Sequence, residues 1–333
     1  GLLEWEALAP CDRLAVLKMM RPIRLAKRAE RGAKVVAASP GETVENWLVR
    51  NGQTPRVREM LWEPLAVAAL NQAVSEAAAP PFARVLARMF GTGPNDAAIG
   101  LPTAPLHLAY AEPARAFIEA RGGSVRTRTP ATVSAGSDGR AVVLAGREHL
   151  EAGSVIAAVQ WHALPGLFIP PLPALSTVTS AAAATASSPI VSVNLWFDRS
   201  FLEGPFVGLP GRRFQWLFDK RQAFGNAASH VTAVASGARQ LAGREHDELV
   251  RNAMDEIAAA FPEAASARLV RATVVREKRA TFSLALGQPA RPGVRTPVSN
   301  LFLAGDWIET GLPGTIESAV ESGHRAAGAV LGA

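Results

Sequence analysis

The feature that constrains the fold most is the stretch from Asn300 to Leu331, which reads NLFLAGDWIETGLPGTIESAVESGHRAAGAVL. It begins with an apolar run, residues 301–304, that is typical of a strand buried on both faces in a parallel sheet. A segment rich in Gly and Pro, residues 311–314, then predicts a tight turn. A helix is expected to start near Thr315. The sequence therefore predicts a strand–turn–helix unit.

The helix of this unit shows apolar residues at helical spacing, which predicts one stripe facing the core. The stripe consists of Ile316, Ala319, Val320, Gly323, Ala326, Ala327, Val330 and Leu331. On this interpretation the polar residues, among them Ser318 and Ser322, cover the other faces. In open α/β sheets, ligands bind outside the carboxyl ends of the strands, so the turn before this helix is a candidate binding site.

Two residues at the end of the predicted strand suit such a site. Gly305 allows the backbone to approach a flat or bulky ligand. Asp306 follows it, and its carboxylate can accept hydrogen bonds from sugar or ribityl hydroxyls. The helix N-terminus favours a carbonyl oxygen or a developing anion. A Gly-Asp pair alone occurs at many ordinary turns, so the prediction depends on the whole run.

That run, GDWIETGLPGTIESAVESG, resembles the C-terminal FAD motif of the flavin amine oxidase and phytoene desaturase superfamily. It is most similar to one branch, the squalene-associated FAD-dependent desaturases, or hydroxysqualene dehydroxylases. The resemblance continues, in the expected order, in residues 100–126, 188–220 and 278–292. It implies an FAD-dependent oxidoreductase that reduces hydroxysqualene, a long apolar isoprenoid, to squalene in squalene and hopanoid biosynthesis.

The resemblance also implies which residues hold FAD. They are Gly305, Asp306, Trp307, Leu312, Pro313, Gly314, Thr315, Ile316, Ala131 and Trp161. Ala131 matches a position whose backbone usually lies near the adenine, and Trp161 matches a turn near the cofactor. No catalytic residue is predicted, because a lone histidine after a strand, such as His162, is more often structural. No metal site is predicted either, since the six histidines lack metal-ligand spacing.

The family opens with a strand, a GxGxxG turn and a helix that cradle the ADP half of FAD. The sequence contains no such fingerprint and starts at Gly1 with residues that resemble the interior of family members. We therefore expect a fragment of a longer protein, one that by itself binds FAD poorly or not at all.

The expected fold class is mixed α/β (α+β), with a partial FAD-binding, Rossmann-like domain interleaved with a substrate domain of antiparallel sheet plus helices. Residues 1–104 are predicted to form a helical part of the substrate or membrane-facing domain, and residues 105–165 to return to the FAD-binding domain. Residues 166–295 are predicted to form the substrate domain with its antiparallel sheet, and residues 296–333 the C-terminal part of the FAD-binding domain.

Local patterns predict the elements within these domains. The first helix, over residues 2–34, should be broken or kinked by Pro22, and a helix over 54–79 should end at Pro80 and Pro81. Strands are predicted at 124–128, 131–135, 141–145 and 155–159, with a turn at 137–139.

From residue 189 the apolar period changes to two, which predicts the antiparallel sheet of the substrate domain. An aromatic stripe, Phe214, Trp216 and Phe218, belongs to this part. It either lines an apolar substrate cavity or packs in the core, and core packing is the simpler interpretation.

A protein with a net charge of +6 can bind two classes of anionic partner, nucleic acids and anionic membrane surfaces. No nucleic-acid partner is expected, because no binding motif occurs and aromatic residues make up 6%. A basic face over residues 18–34 suits either a membrane surface or solvent. The implied lipid substrate adds the expectation of a cytoplasmic protein with peripheral contact at the inner membrane face.

Two other functions stay open. One is a phytoene-type carotenoid desaturase or a flavin amine oxidase, each of which oxidises its substrate. An apolar tunnel would favour an isoprenoid, whereas paired aromatic rings would favour an amine. The other is a non-catalytic relic that binds a membrane surface or a partner protein.

Overall fold

A computed structural model describes residues 4–91, 93, 95–135, 140–225 and 228–332, with only the backbone at 135 and 223. The chain divides into two compact units and crosses between them three times. Unit 1 consists of Gly1–Val125 and Ser188–Ala280, and unit 2 of Arg126–Ser187 and Thr281–Ala333. The predicted domain boundaries at residues 105, 166 and 296 stay a prediction. So does the assignment of the segments between them to cofactor or substrate binding.

Helices dominate the first 120 residues and recur later. The α-helices are α1 Pro10–Leu17, α2 Met20–Glu30, α3 Val44–Arg50, α4 Pro55–Val57, α5 Glu63–Leu70, α6 Ala79–Met89, α7 Glu112–Glu119, α8 Leu164–Leu167, α9 Ser176–Ala184, α10 Lys220–Phe224, α11 His246–Ala260 and α12 Ile316–Leu331, with π-helical turns at Arg58–Trp62 and His107–Ala111. Within the described ranges, no helix has both the length and the apolar character needed to cross a bilayer.

In the part of the chain that the structure describes, the strands form three separate sheets. They are β1 Ala131–Ala135, β2 Ala141–Ala145, β3 Glu148–Ala152, β4 Val155–Ala157, β5 Ser187–Phe197, β6 Phe206–Gly208, β7 Trp216–Asp219, β8 Ser229–Ala235, β9 Leu269–Phe282 and β10 Leu301–Leu303. The mixed helix and sheet content confirms the predicted fold class.

The prolines of the N-terminal helices act differently from the prediction. The first helix does break, but the break precedes Pro22, which lies in the first turn of α2. Pro80 and Pro81 likewise lie in the first turn of α6, and the helix before them has already stopped at Leu70. The first turn tolerates proline because its N–H groups have no intrahelical acceptor to lose.

Unit 1 contains a five-stranded sheet in the order β6–β7–β8–β5–β9. The pairings β6–β7, β7–β8 and β8–β5 are antiparallel, as predicted. The predicted alternation is confirmed along β5, where Val191, Val193 and Leu195 are each 0% exposed. They share one apolar cluster with Leu249 and Ile257 of α11. Each such buried side chain contributes about 1.5–3 kcal/mol, so this layer is the core of the unit.

The aromatic stripe of the sequence is divided between two environments. Phe214 and Leu217 are fully buried in the core cluster. Trp216 and Phe218 flank Leu217 and therefore point to the opposite face of the sheet, where their ring centroids lie 6.0 and 6.2 Å from that of Phe206. Because Phe214 precedes the strand, the two-residue period does not extend to it.

Unit 2 contains the parallel pair that the sequence predicts. β10 runs beside β4 with Leu301 opposite Val155, and all three residues of β10 are buried. β1, β2 and β3 form a separate antiparallel sheet. The predicted strand at 124–128 is wrong, since the described residues there form irregular chain and a bend. The predicted turn at 137–139 lies outside the described residues.

The start of α12 agrees with the prediction, but of its predicted buried face only Ala326 is buried. Ile316, Val320 and Leu331 are 51%, 50% and 83% exposed. The buried residues of the helix are Ser318, Ser322, Ala326 and Ala329. Their small side chains let α12 approach the strand closely, and the two serines find hydrogen-bond partners there.

Candidate functional site

The site is built around the bend that ends β10. Gly305 has φ +129°, a conformation that L side chains rarely adopt. A Cβ atom at this position would lie 3.2 Å from Cδ1 of Trp307. The N–H of Gly305 donates to Oγ of Ser322, on α12, at 2.8 Å. Glycine is therefore required for the bend, and the bend is attached directly to the helix.

Asp306 presents a half-buried carboxylate at this bend. Burial raises its pKa, an effect that is partly offset by its own backbone N–H, by the N–H of Trp307 and by the charge of Arg291. The backbone of Gly314 passes directly beside it, since a Cβ there would lie 3.1 Å from Oδ2 of Asp306. The predicted residues Asp306 and Gly314 are thus brought together by the fold.

Ser318 joins the first turn of α12 to the bend. Its Oγ donates to the carbonyl oxygen of Asp306 at 2.9 Å and lies 2.7 Å from Oγ1 of Thr310. A serine hydroxyl has one proton, so the Thr310 hydroxyl is the donor in the second hydrogen bond. Thr310 in turn accepts from the N–H of Leu312 at 3.2 Å. These bonds fix the turn over residues 306–312.

The N-terminus of α12 opens beside the carboxylate. Thr315 caps the helix, because its Oγ1 accepts from the N–H of Ser318 at 3.2 Å. The remaining N–H groups of the first turn and the helix dipole favour a carbonyl oxygen or an anion. Ile316 adds a half-exposed apolar side chain at the first helical position. The site therefore offers an acceptor, several donors and an apolar contact close together.

Arg291 supports the turn from a different segment. Its Nη1 donates to the carbonyl oxygen of Leu312 at 2.7 Å, and its Nε and Nη2 each lie 3.0 Å from the carboxylate of Glu309. The buried Leu312 and Pro313 are held by this contact. The guanidinium also lies 5.3 Å from the ring centroid of Phe282.

The two predicted tryptophans are buried. Trp307 donates from Nε1 to the carbonyl oxygen of Val159 at 3.0 Å. Trp161 donates from Nε1 to the carbonyl oxygen of Thr185 at 3.2 Å and meets Phe282 edge-on, with ring centroids 6.2 Å apart. Both indole N–H groups are therefore satisfied by backbone carbonyl oxygens, and the contact of these side chains with a cofactor stays a prediction.

Ala131 belongs to a different sheet from β10, the strand that ends at this bend. It is the exposed first residue of β1 and is paired with Ala145 of β2. Its predicted place near an adenine ring stays a prediction.

Sequence reasoning missed several supports of the site. They are Phe282, Arg291, Thr310, Ser318 and Ser322. One signal was available for the serines: Ser318, Ser322 and Ala326 are small residues four apart, which is the spacing of one helix face. A face of small residues indicates close approach to a neighbouring element. Arg291 and Phe282 leave no comparable local signal.

The arrangement fits the flavin side of FAD. Ribityl hydroxyls can donate to Asp306, and a carbonyl oxygen of the flavin ring can accept from the first turn of α12. Where the structure describes side chains, no group of three or more His, Cys, Asp or Glu residues is arranged to hold a metal ion.

The chain is similar to known flavoproteins along nearly its whole length. The family model for flavin-containing amine oxidoreductases matches residues 3–331. Hydroxysqualene dehydroxylase of Sinorhizobium fredii is 30% identical over 90% of this chain and 68% of its own length. The enzyme of the same name from Rhodopseudomonas palustris is 33% identical over 83% of this chain and 63% of its own length. The chain thus spans about two thirds of the length of these relatives.

A solved structure supports the same fold. Cyclohexylamine oxidase from Brevibacterium oxydans superposes with a TM-score of 0.70 over 95% of this chain and 74% of its own, at 16% identity. At that identity the likeness shows the fold alone. The family match confirms the predicted family and cofactor. The chain belongs to the flavin-containing amine oxidoreductases, and its cofactor is FAD.

Proposed function

We propose that this chain is part of an enzyme that reduces hydroxysqualene to squalene. The observation that carries the proposal is the similarity to two hydroxysqualene dehydroxylases over 90% and 83% of the chain. The fold alone does not distinguish this reaction from amine oxidation, since an amine oxidase has the same fold.

The reaction replaces a hydroxyl group on an isoprenoid carbon with hydrogen. When bound in its reduced form, FAD supplies the hydride for the new C–H bond. The C–O bond would break, and the hydroxyl would leave as water, with the second hydrogen of the reduced cofactor as its proton. The products are squalene, water and oxidised FAD, so atoms and electrons balance.

The residues at the end of β10 have a binding role in this proposal. Asp306 accepts hydrogen bonds from the ribityl chain, and the first turn of α12 stabilises negative charge on the pyrimidine end of the flavin ring. Gly305 and Gly314 let the backbone come close to the cofactor. Ser318 and Arg291 act through the turn and keep these groups in position.

We assign cofactor binding to unit 2, which contains all of these residues, and binding of the apolar isoprenoid to unit 1. Since the substrate is insoluble in water, we also propose that the enzyme works in the cytoplasm and takes its substrate at the inner membrane face. The exposed basic residues of unit 1 support this location, and they are treated in the next subsection.

The test combines binding and turnover. Flavin fluorescence gives the affinity for FAD of this chain and of the chain extended by any residues that its gene encodes upstream. Each is then incubated with FAD, dithionite and hydroxysqualene in detergent, and squalene is measured by mass spectrometry. Squalene formation supports the proposal. Oxidation of phytoene or of a primary amine without squalene formation would overturn the proposal and identify the enzyme as a desaturase or an amine oxidase. Failure of both proteins to bind FAD would favour a non-catalytic relic.

Two variants test the role of Asp306. Asp306→Asn removes the charged acceptor, and we expect FAD binding to weaken by about tenfold to a hundredfold, as for the loss of a hydrogen bond to a charged group. Glu151→Gln on β3, outside the bend, removes one charge from an exposed side chain and should leave affinity nearly unchanged. Equal affinities of the two variants would contradict the assignment.

A further inference from the structure

The positive charge of the chain is concentrated in one short segment. The chain has 35 Lys and Arg and 29 Asp and Glu residues, a net charge of +6. Residues 18–34 contain seven basic residues and one acidic residue, Glu30. This segment therefore accounts for the whole excess, and the rest of the chain is balanced. A solvated face with no partner gives no reason for such a concentration.

Three of the seven basic residues are exposed on one surface, that of α2. Arg21, Arg24 and Arg28 are exposed on α2, whereas Pro22 and Ile23 on the same helix are buried. No ion pair involves these three arginines among the residues that the structure describes. The one acidic residue does not neutralise them, because Glu30 lies 3.9 Å from Arg84 and 3.1 Å from Arg88, both on α6.

Aliphatic side chains are exposed beside the arginines. Leu14 and Leu17 of α1 are 63% and 44% exposed, and Met20 at the start of α2 is 48% exposed. Leu17 and Met20 line a groove of about 260 Å³ together with mainly apolar side chains, among them Val16, Ile23 and Phe90. Arg24 and Lys27 line the same groove. Basic and aliphatic groups therefore occur together on what we call the α1–α2 surface, Leu14 to Arg28.

We propose that the α1–α2 surface docks on an anionic phospholipid bilayer. The arginines contact lipid phosphates, and Leu14, Leu17 and Met20 enter the boundary between headgroups and acyl chains. The groove offers an acyl chain an apolar channel beside the arginines. The assignment names the membrane partner of the function proposed above, since a long isoprenoid is held in the bilayer.

The combination of side chains favours a bilayer over a nucleic acid. Nucleic acids are bound through basic residues together with aromatic stacking or polar contacts to bases. The exposed apolar residues of the α1–α2 surface are aliphatic, and they gain nothing from contact with phosphates. Burial in the headgroup boundary removes them from water, which is favourable for each of them.

The first experiment is flotation of the protein with phosphatidylcholine vesicles, with and without phosphatidylglycerol. We expect binding only to the anionic vesicles, and weaker binding at high salt. A basic residue near an anionic surface contributes about fivefold to affinity, so the triple variant Arg21→Gln, Arg24→Gln, Arg28→Gln should bind about 100-fold more weakly. The matched control is Arg147→Gln, Arg251→Gln, Lys278→Gln, which removes the same charge from exposed positions elsewhere and should bind like the wild type.

A second variant tests the aliphatic part. Leu14→Ser, Leu17→Ser, Met20→Ser keeps every charge, and we expect it to lose vesicle binding while its weak binding to a short DNA duplex is unchanged. Circular dichroism of each variant shows that it is folded. The proposal is overturned if the wild type does not float with anionic vesicles, or if the control triple loses as much affinity as the α2 triple. It is also overturned if the serine variant binds vesicles like the wild type, because the surface is then a general polyanion site.

The two proposals can fail separately. Turnover of hydroxysqualene dissolved in detergent needs no vesicle, so it reports on the reaction alone. Vesicle binding without squalene formation would refute the proposed reaction and keep the membrane surface. Squalene formation by a protein that never binds vesicles would refute the surface and keep the reaction.

Discussion

The buried hydroxyl of Ser318 gives the most direct test of how the site is held. The side chain is 0% exposed, and its Oγ satisfies the carbonyl oxygen of Asp306 and the hydroxyl of Thr310. Ser318→Ala leaves both partners unsatisfied, each at a cost of about 1–3 kcal/mol. Alanine returns about 0.5 kcal/mol through its higher helix propensity. Because Thr310 keeps its hydrogen bond from the N–H of Leu312, we expect a net local loss near the lower end of this range, about 2 kcal/mol.

Hydrogen exchange is the appropriate assay, because a chain with two compact units need not unfold in one transition. In the peptide 301–312, a loss of about 2 kcal/mol should raise the rates of the protected amides by about 30-fold. His324→Ala, an exposed position on the same helix, is the matched control and should leave these rates unchanged or slightly lower. If the two variants exchange at equal rates, the Ser318 hydroxyl does not hold the bend.

Two further predictions concern the same bend. Gly305→Ala places a side chain at φ +129° and should destabilise the fold by about 1–3 kcal/mol. Gly323→Ala on α12, where a Cβ meets nothing within 4 Å, should stabilise the fold by about 0.5–1 kcal/mol. The melting temperatures of the two variants should therefore shift in opposite directions, and shifts of the same sign would contradict the explanation. The raised pKa of Asp306 means that the folded state holds this proton more tightly than the unfolded state. The free energy of unfolding of the wild type, relative to that of Asp306→Asn, should therefore fall as pH rises from the usual Asp pKa of 3.8 through the raised pKa of the folded state, and then stay level. Urea titrations in which this difference in free energy stays constant or rises over that pH range would refute the sign.

Local sequence signals predicted the elements of the site well. The run over 301–304 and the turn over 311–314 depend on residues close in sequence, and β10 and the start of α12 agree with them. The alternation along β5 was predicted for the same reason, since a buried face repeats every second residue. Such signals need no knowledge of what the element packs against.

The buried face of α12 shows where local signals fail. Hydrophobicity alone favours Ile316 and Val320 as core residues, yet the helix buries Ser318 and Ser322 instead. These serines are buried because backbone groups at Gly305 and Asp306 need partners, and those groups are set by a bend that comes earlier in the chain. Arg291 could not be predicted for a related reason, since its acceptor at Leu312 is defined only by the folded turn.

The order of the segments along the chain has a consequence for biosynthesis. Among the described residues β4 and β10 form a two-stranded parallel sheet, and almost half of the chain is translated between them. At about 5–20 residues per second, a ribosome needs roughly seven to thirty seconds to make that intervening chain. During this interval β4 cannot pair with β10, while the sheet of unit 1 can already assemble from β5 to β9. The parallel pair of unit 2 is therefore completed only after the sheet of unit 1 has been synthesised.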